Sequence, residues 1–319
     1  MSSDRPTDPA GMSPDDAFAA LGNETRIETL RVLGDADRPL PFSELKDRVG
    51  MRDSGQFNYH LDELRGHFVR QVESEYVLSQ TGQRVVEAIL SGTVTDAPVV
   101  EPTEIDQECH FCGGTVAISY QQEQVDIHCT ECDGRLGESL ESSTLDLPAD
   151  FGWLGALPLP PAGVRDRDPE EVLLAATTLG QSEYVAASQG VCPRCSATVS
   201  RELRACPDHH ADDGICSTCG HRREVLFSAR CRVCNFATGG GPVMALFSDA
   251  DFLSHLLAHG INPVAPDSTM ELYGALHNYD VEIDGPDATR VTITHTLGDD
   301  TFTKTLGDEL PVTTSRETA

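Results

Sequence analysis

Ten of the eleven cysteines fall in five Cys-x-x-Cys pairs: Cys109/Cys112, Cys129/Cys132, Cys192/Cys195, Cys216/Cys219 and Cys231/Cys234. The eleventh, Cys206, has His209 three residues on, at the same spacing. These six two-ligand turns supply twelve thiol or imidazole donors, enough for three tetrahedral sites of four ligands. Structural zinc takes such a closed set of Cys and His and leaves no open position. With no cysteine left over, a free nucleophilic thiol is not expected.

One grouping follows directly from spacing. Cys109 and Cys112 are separated from Cys129 and Cys132 by a stretch that alternates as a hairpin, over Val116 to Tyr120 and Val125 to His128. The remaining eight ligands can be grouped in two ways. Sequential grouping places Cys192, Cys195, Cys206 and His209 on one ion and Cys216, Cys219, Cys231 and Cys234 on the next. Interleaved grouping cross-braces the turns, as in RING domains. The sequential reading is preferred because each ribbon then closes a short loop at low entropic cost. His209 competes with His210 as ligand, and the matching spacing favours His209. His221, just after Cys219-Gly220, reads as a turn residue.

Rival chemistries fit less well. A redox dithiol calls for one pair near a βαβ unit rather than a ladder of pairs. Two-cluster ferredoxins need a denser cysteine run. Catalytic zinc needs three ligands, an open position and a nearby base. The histidines are scattered, and neither Gly-x-Ser-x-Gly nor a Walker-type loop is present, so no enzyme is expected.

The elements that must carry these ligands divide the chain into four expected domains: 13–92, 105–150, 165–238 and 243–315. Residues 1–12 read as disordered and 93–106 as a Thr/Pro/acidic linker. A helix is expected from Pro169 to Ala187. Gly239-Gly240-Gly241-Pro242 reads as a hinge. Ser248 and Asp251 form a capping box for a helix that ends at Gly260. From Tyr279 the pattern is a β-meander, with turns at Gly285-Pro286-Asp287 and Gly298-Asp299-Asp300.

Ahead of the cysteines, residues 13–92 are mostly helical. Ser13-Pro14-Asp15-Asp16 opens the first helix, and Phe18, Leu21, Ile27, Leu30 and Leu33 recur at helical spacing. Ser43 is expected to cap a short helix, and Asp53 or Ser54 to start a third, buried through Phe57, Leu61 and Leu64. Phe68 to Leu78 alternates as a hairpin, and Thr81 opens a last helix. Three helices, a hairpin and a helix follow the order of a winged helix-turn-helix.

Three segments carry a family resemblance. Ala20-Leu21-Gly22-Asn23-Glu24-Thr25-Arg26-Ile27-Glu28-Thr29-Leu30 resembles the opening of ArsR-type regulators, Phe57-Asn58-Tyr59-His60-Leu61 the recognition helix of their archaeal relatives, and Tyr76-Val77-Leu78-Ser79-Gln80-Thr81-Gly82 the end of the wing. The back half resembles the zinc-ribbon region of haloarchaeal ArsR-like proteins. The resemblance implies DNA binding as a homodimer. Residues 43–67 hold no cysteine, so the metal-sensing activity of some ArsR members is not implied.

A recognition helix enters the major groove with its N-terminal residues near base edges. Arg52, Ser54, Gln56, Asn58, Tyr59 and Arg65 are left facing outward once the apolar positions turn in. Arg70 and Arg84 are placed to reach phosphates from the wing and the last helix. Gln and Asn read adenine, and Arg reads guanine, by paired hydrogen bonds. Tyr59 and His60 are open to a structural role between helices.

The net charge is −29, with lysine only at positions 46 and 304. This balance is similar to that of proteins adapted to molar internal salt, as in haloarchaea, where a hydrated carboxylate surface stays soluble under strong screening. The apolar run Phe151–Gly163 is too short for a bilayer span and carries three prolines. The N-terminus lacks the basic and apolar regions of a signal peptide, so a soluble, cytoplasmic protein is expected.

The expected fold is an α+β multidomain chain: an N-terminal winged helix-turn-helix, zinc ribbons, and a C-terminal helix plus antiparallel β-meander. The expected function is a sequence-specific transcription regulator that binds double-stranded DNA and carries three structural zinc ions. The alternatives are a zinc-ribbon adaptor whose winged helix binds protein or RNA, and a redox or metal sensor built on a labile Cys206/His209 turn.

Overall fold

A computed structural model describes residues 11–135, 151–211, 214–284, 289–307 and 310–314. It is a mixed α+β structure that divides into two compact units, Met1–Asp96 and Ala97–Ala319. Eight α-helices and several largely antiparallel sheets make up its described residues.

The first unit runs α1 (Pro14–Leu21), α2 (Glu24–Gly34), β1 (Leu40–Pro41), α3 (Phe42–Arg48), α4 (Ser54–Leu64), β2 (Val69–Val72), β3 (Glu75–Leu78) and α5 (Gln80–Leu90). Four of its helices start on side-chain caps. Ser13, Asn23, Asp53 and Ser79 each accept a backbone N–H from the first turn that follows, satisfying one of the donors a helix start leaves open. In α4 the residues Phe57, His60, Leu61 and Leu64 recur at i, i+3, i+4 and i+7 and are buried. They close on Leu30, Leu33, Leu45, Phe68 and Val86. The hairpin β2–β3 is joined at its β3 edge by β1, with Leu40 opposite Tyr76. Gly82 sits where α5 crosses the hairpin, and a Cβ there would overlap the Phe68 carbonyl.

The second unit is built on two four-stranded sheets. In the first, β4 (Val100–Glu108), β5 (Thr115–Gln121), β6 (Gln124–Cys129) and β7 (Gly152–Pro158) pair in that order, all antiparallel. In the second, β8 (Val199–Ala205) and β9 (Val225–Cys231) pair antiparallel at the centre, flanked by β10 (Ala237–Gly240) and by β14 (Val312–Thr314), which runs parallel to β8. Between the sheets in sequence lies α6 (Pro169–Ser188), opened by a capping box of Asp168 and Glu171. Its 20 residues span about 30 Å, and it packs on β4, β7 and β8. After α7 (Ala250–Ala258) and α8 (Thr269–Leu276), the strands β11 (Tyr279–Asp284), β12 (Arg290–Leu297) and β13 (Asp300–Leu306) form the expected meander.

A single apolar cluster runs through this unit, from Ile105 through Ile118, Ile127, Leu173, Phe227 and Phe252 to Ile293. The three segments read as separate domains beyond residue 105 therefore share one interior, because α6 contributes buried side chains to both sheets.

Several local expectations are corrected. Residues 100–106 form most of β4 rather than a linker; Ile105 is buried and the strand completes the edge beside β5. Gly239 and Gly240 are paired strand residues opposite Ser228 and Phe227, not a hinge. The cap of α7 is Asp249, whose carboxylate accepts from Asp251 and Phe252, so Ser248 is not the cap. Likewise α5 is capped by Ser79 instead of Thr81, and α3 follows Pro41 with no side-chain cap from Ser43. The turn at Gly285-Pro286-Asp287, residues 1–10 and residues 136–150 lie outside the described residues.

Buried His295 links the meander to α7 and α8. Its Nε2 donates to the Ala275 carbonyl at 2.9 Å, and its Nδ1 lies 3.2 Å from His255 Nε2. At the same seam His259 Nε2 lies 3.2 Å from the Asp300 carboxylate, and Lys304 Nζ lies 2.9 Å from that of Asp249. Burial lowers the His295 value from 6.5 to about 4. The folded chain therefore holds a neutral ring that the unfolded chain protonates first. Stability from this group is complete above about pH 6.5 and is lost progressively as pH falls toward 4. Urea midpoints of wild type and His295→Phe, compared at pH 7.5 and 5, should show a shallower pH dependence in the variant; parallel slopes would remove His295 as the cause.

Candidate metal centres

Three groups of four donors converge, with all donor atoms in each group within 4.8 Å of one another. They are Cys109, Cys112, Cys129 and Cys132; Cys192, Cys195, Cys231 and Cys234; and Cys206, His209, Cys216 and Cys219. All twelve expected ligands are thus used. The grouping of the last eight is neither sequential nor interleaved but nested, which corrects the preferred sequential reading.

The reason is strand register. β8 and β9 pair with Val199 opposite Cys231 and Ala205 opposite Val225. One end of this ladder holds the turn that precedes β8 and the turn that ends β9, so Cys192/Cys195 meets Cys231/Cys234. The other end holds Cys206, just after β8, and the loop that returns to β9, so Cys206/His209 meets Cys216/Cys219. Seven paired residues separate the two ends by about 20 Å. A sequential set would have to join ligands from opposite ends of one rigid hairpin. Loop entropy cannot decide between groupings once a strand ladder has already closed the loop.

The first centre repeats the same plan. Val116 on β5 pairs with Cys129 on β6, as Val199 on β8 pairs with Cys231 on β9. Each valine stands four residues past the second cysteine of its turn, in Cys109-His-Phe-Cys112-Gly-Gly-Thr115-Val116 and Cys192-Pro-Arg-Cys195-Ser-Ala-Thr198-Val199. This internal repeat of Cys-x-x-Cys-x-x-Thr-Val is the signal from which the nested grouping was readable. The second copy differs by carrying a further four-ligand loop between its strands.

The turns are built alike. In three of them the first cysteine donates its N–H to the carbonyl five residues on, and accepts at its own carbonyl from the residue four on: Cys109 with Gly114 and Gly113, Cys192 with Ala197 and Ser196, Cys216 with His221 and Gly220. The residue after the second cysteine has positive φ in four turns: Gly113, Ser196, Gly220 and Asn235. Backbone N–H groups then point at the sulfurs, with Phe111 on Cys109, Gly114 on Cys112, Glu131 on Cys129 and Val233 on Cys231, each at 3.4 Å. Gly152 is required where β7 passes the first centre, since a Cβ there would overlap the Cys132 carbonyl.

The distances suit a metal. Sulfurs held about 2.3 Å from a central ion stand about 3.8 Å apart. Observed separations are 3.9 Å for Cys109–Cys132, 3.5 Å for Cys112–Cys129, 3.5 Å for Cys192–Cys234 and 3.6 Å for Cys195–Cys231. In the third centre His209 Nδ1 lies 3.5 Å from Cys219 Sγ, while its Nε2 donates to the Arg222 carbonyl at 3.2 Å. That outer hydrogen bond fixes the tautomer with Nδ1 free to ligate. His209 rather than His210 is therefore brought into the group; His210 offers its backbone N–H to Cys216 Sγ at 3.4 Å.

Electrostatics point the same way. Burial pushes the Cys109 thiol up to about 11 and the Cys219 thiol up to about 12. The N–H of His210 draws Cys216 down to about 6, and that of Cys234 draws Cys231 down to about 7. Each quartet thus holds thiols pulled in both directions, and a divalent cation at its centre would favour the thiolate at all four. The donor set is consistent with zinc and leaves no vacant ligand position.

In the first unit, Arg52, Ser54, Gln56, Asn58, Tyr59 and Arg65 are all exposed, on or beside α4, as are Arg70 on β2 and Arg84 on α5. Tyr59 is 59% exposed, while His60 beside it is buried. Asp62 was not singled out from sequence. Its carboxylate accepts from Asn58 Nδ2 and from Arg65, both at 2.8 Å, and Arg65 reaches on to Gln71 of the hairpin at 3.1 Å. No helix among the described residues is long and apolar enough to cross a membrane.

The family described as Domain of unknown function (DUF7347) matches residues 14–89, and Domain of unknown function (DUF7351) matches residues 106–312. No curated protein and no protein of solved structure matches the chain.

Nested grouping is tested by a double substitution. Cys195→Ser with Cys234→Ser removes two ligands of one centre, so metal analysis should show one ion fewer per chain. Sequential grouping would place those residues in different centres, and the loss of two ions would overturn the nested assignment.

Proposed function

The chain belongs to the DUF7351 family, and from that premise and the geometry above we propose a sequence-specific DNA-binding transcription regulator whose back half is organised by three structural zinc ions. In this reading the first unit is a winged helix-turn-helix, with α4 as the recognition helix and β2–β3 as the wing. The zinc ions occupy the three four-ligand centres, and the hairpins around them are zinc ribbons. The resemblance to ArsR-type regulators adds a cytoplasmic homodimer on a two-fold site.

One observation carries the proposal. α4 turns four apolar or aromatic faces inward and presents Ser54, Gln56, Asn58 and Tyr59 together on its open side, with Arg52 at its start and Arg65 at its end. An exposed tyrosine flanked by amides is poorly explained by solvation alone, and each of these groups suits base edges or phosphates. Asp62 holds Asn58 and Arg65 in place, so part of this face is ordered before any ligand arrives.

Charge sets the conditions. Residues 13–92 carry nine Arg or Lys against fourteen Asp or Glu. Counterion release contributes little to affinity in molar salt. Binding then depends on groove fit more than on net charge. The same acidic balance favours the second reading, an adaptor whose exposed α4 face takes a protein partner.

Gln56→Ala with Asn58→Ala should weaken operator binding at least about thirtyfold, from about 1–3 kcal/mol per lost base contact, with an unchanged circular dichroism spectrum. The measurement is DNA occupancy across a genome, followed by gel shifts of an enriched site in high-salt buffer. No enriched sequence, or equal shifts for the double variant, would favour the adaptor.

A further inference from the structure

Arg223 lines three separate cavities of the second unit. One, of about 410 Å³, is bounded by Arg223, His110, Phe111, Gly274, His277 and Asn278, and its lining includes no carboxylate. Glu224 lines the other two, so this is the cavity where the arginine faces no acidic neighbour.

The guanidinium is held in place but not saturated. It lies 5.1 Å from the Tyr279 ring centre and donates from one terminal nitrogen to the His277 carbonyl at 2.9 Å. Its Nε is buried with no hydrogen-bond partner. Beside it His110 stacks on His277 at 4.6 Å and meets the tilted Phe111 ring at 4.0 Å. Both ring nitrogens of His110 are buried and lack a partner. His277 Nδ1 donates to the Tyr273 carbonyl at 2.7 Å, which leaves its ring as wall rather than donor. The charges reaching His110 are those of Arg135, Arg223 and Arg222, all positive. In a chain of net charge −29, this concentration of arginine around unsatisfied buried donors needs an explanation.

We propose that this cavity binds a small planar organic acid, with its carboxylate on the Arg223 guanidinium and its flat body against the ring wall of His110, Phe111 and His277. Arginine presents N–H donors in a plane that matches a carboxylate. Gly274 on α8 keeps the cavity open. A Cβ at that position meets only His110 Cβ at 3.7 Å, an ordinary contact, so a longer side chain there fills the space without displacing backbone. The site does not depend on the DNA-binding reading, and its test does not use DNA.

The test is ligand-observed NMR on the metal-loaded full chain with three probes: benzoate, acetate as the charge without a ring, and benzamide as the ring without a charge. Benzoate should bind saturably and more tightly than either of the others. Arg223→Lys should weaken it by about tenfold, the scale of one charged hydrogen bond. Gly274→Leu should abolish it while leaving three bound metal ions per chain, which shows that the fold survives. Absence of saturable benzoate binding, equal binding of acetate or benzamide, or indifference to both substitutions would each overturn the proposal.

Discussion

The antiparallel register of β8 on β9 governs the second unit. With Val199 opposite Cys231 and Ala205 opposite Val225, one hairpin carries a four-ligand group at each end. The strands position the cysteines, and metal bound at both ends would in turn lock the register, because a one-residue slip would reverse the facing of every side chain. Zinc bound in small domains contributes on the order of 10 kcal/mol of folding free energy per site, so two such ions would fix the hairpin more firmly than its own hydrogen bonds. The first sheet uses the same device once, at Val116 and Cys129.

Around these hairpins the chain has still built a conventional interior. Ile118, Tyr120, Val125, Ile127, Leu173, Phe227 and Phe252 are almost completely buried. The four-ligand groups therefore do not stand in for a core in the back half. The four-ligand groups sit at sheet ends, where the chain enters and leaves the strands. The core sits between the sheets, the long helix α6 and the last two helices. The two contributions act at different places: apolar burial holds layers together, whereas ligation would pin turns that have little apolar surface of their own.

Arg222 and Arg223 occupy the short segment between the third metal group and β9, and they show how closely structure and recognition lie here. The Arg222 carbonyl orients His209, its Nε donates to the Gly134 carbonyl at 2.8 Å, and its guanidinium lies 4.7 Å from the Phe111 ring. It therefore ties the loop of the first metal group to that of the third. Arg223, the next residue, lines the cavities.

Residue type and spacing alone determined the twelve candidate ligands, the helix cap at Ser13, a helix starting at Asp53 or Ser54, the hairpin at Phe68–Leu78, the helix from Pro169 and the meander from Tyr279. Each is set by contacts within a few residues, where chemistry is local: a thiolate turn, a capped first turn, a period of two or 3.6. Which turns converge in one four-ligand group was decided by tertiary structure, because it depends on strand register across a gap of some twenty residues, and the repeated Cys-x-x-Cys-x-x-Thr-Val was the one local trace of it. The same holds for β4, read as a linker because its Thr, Pro and Glu residues resemble loop composition, yet ordered by the edge of β5. It holds too for the arginine-lined cavity, whose walls come from residues near 110, 223 and 275 and meet only after both sheets have packed on one core.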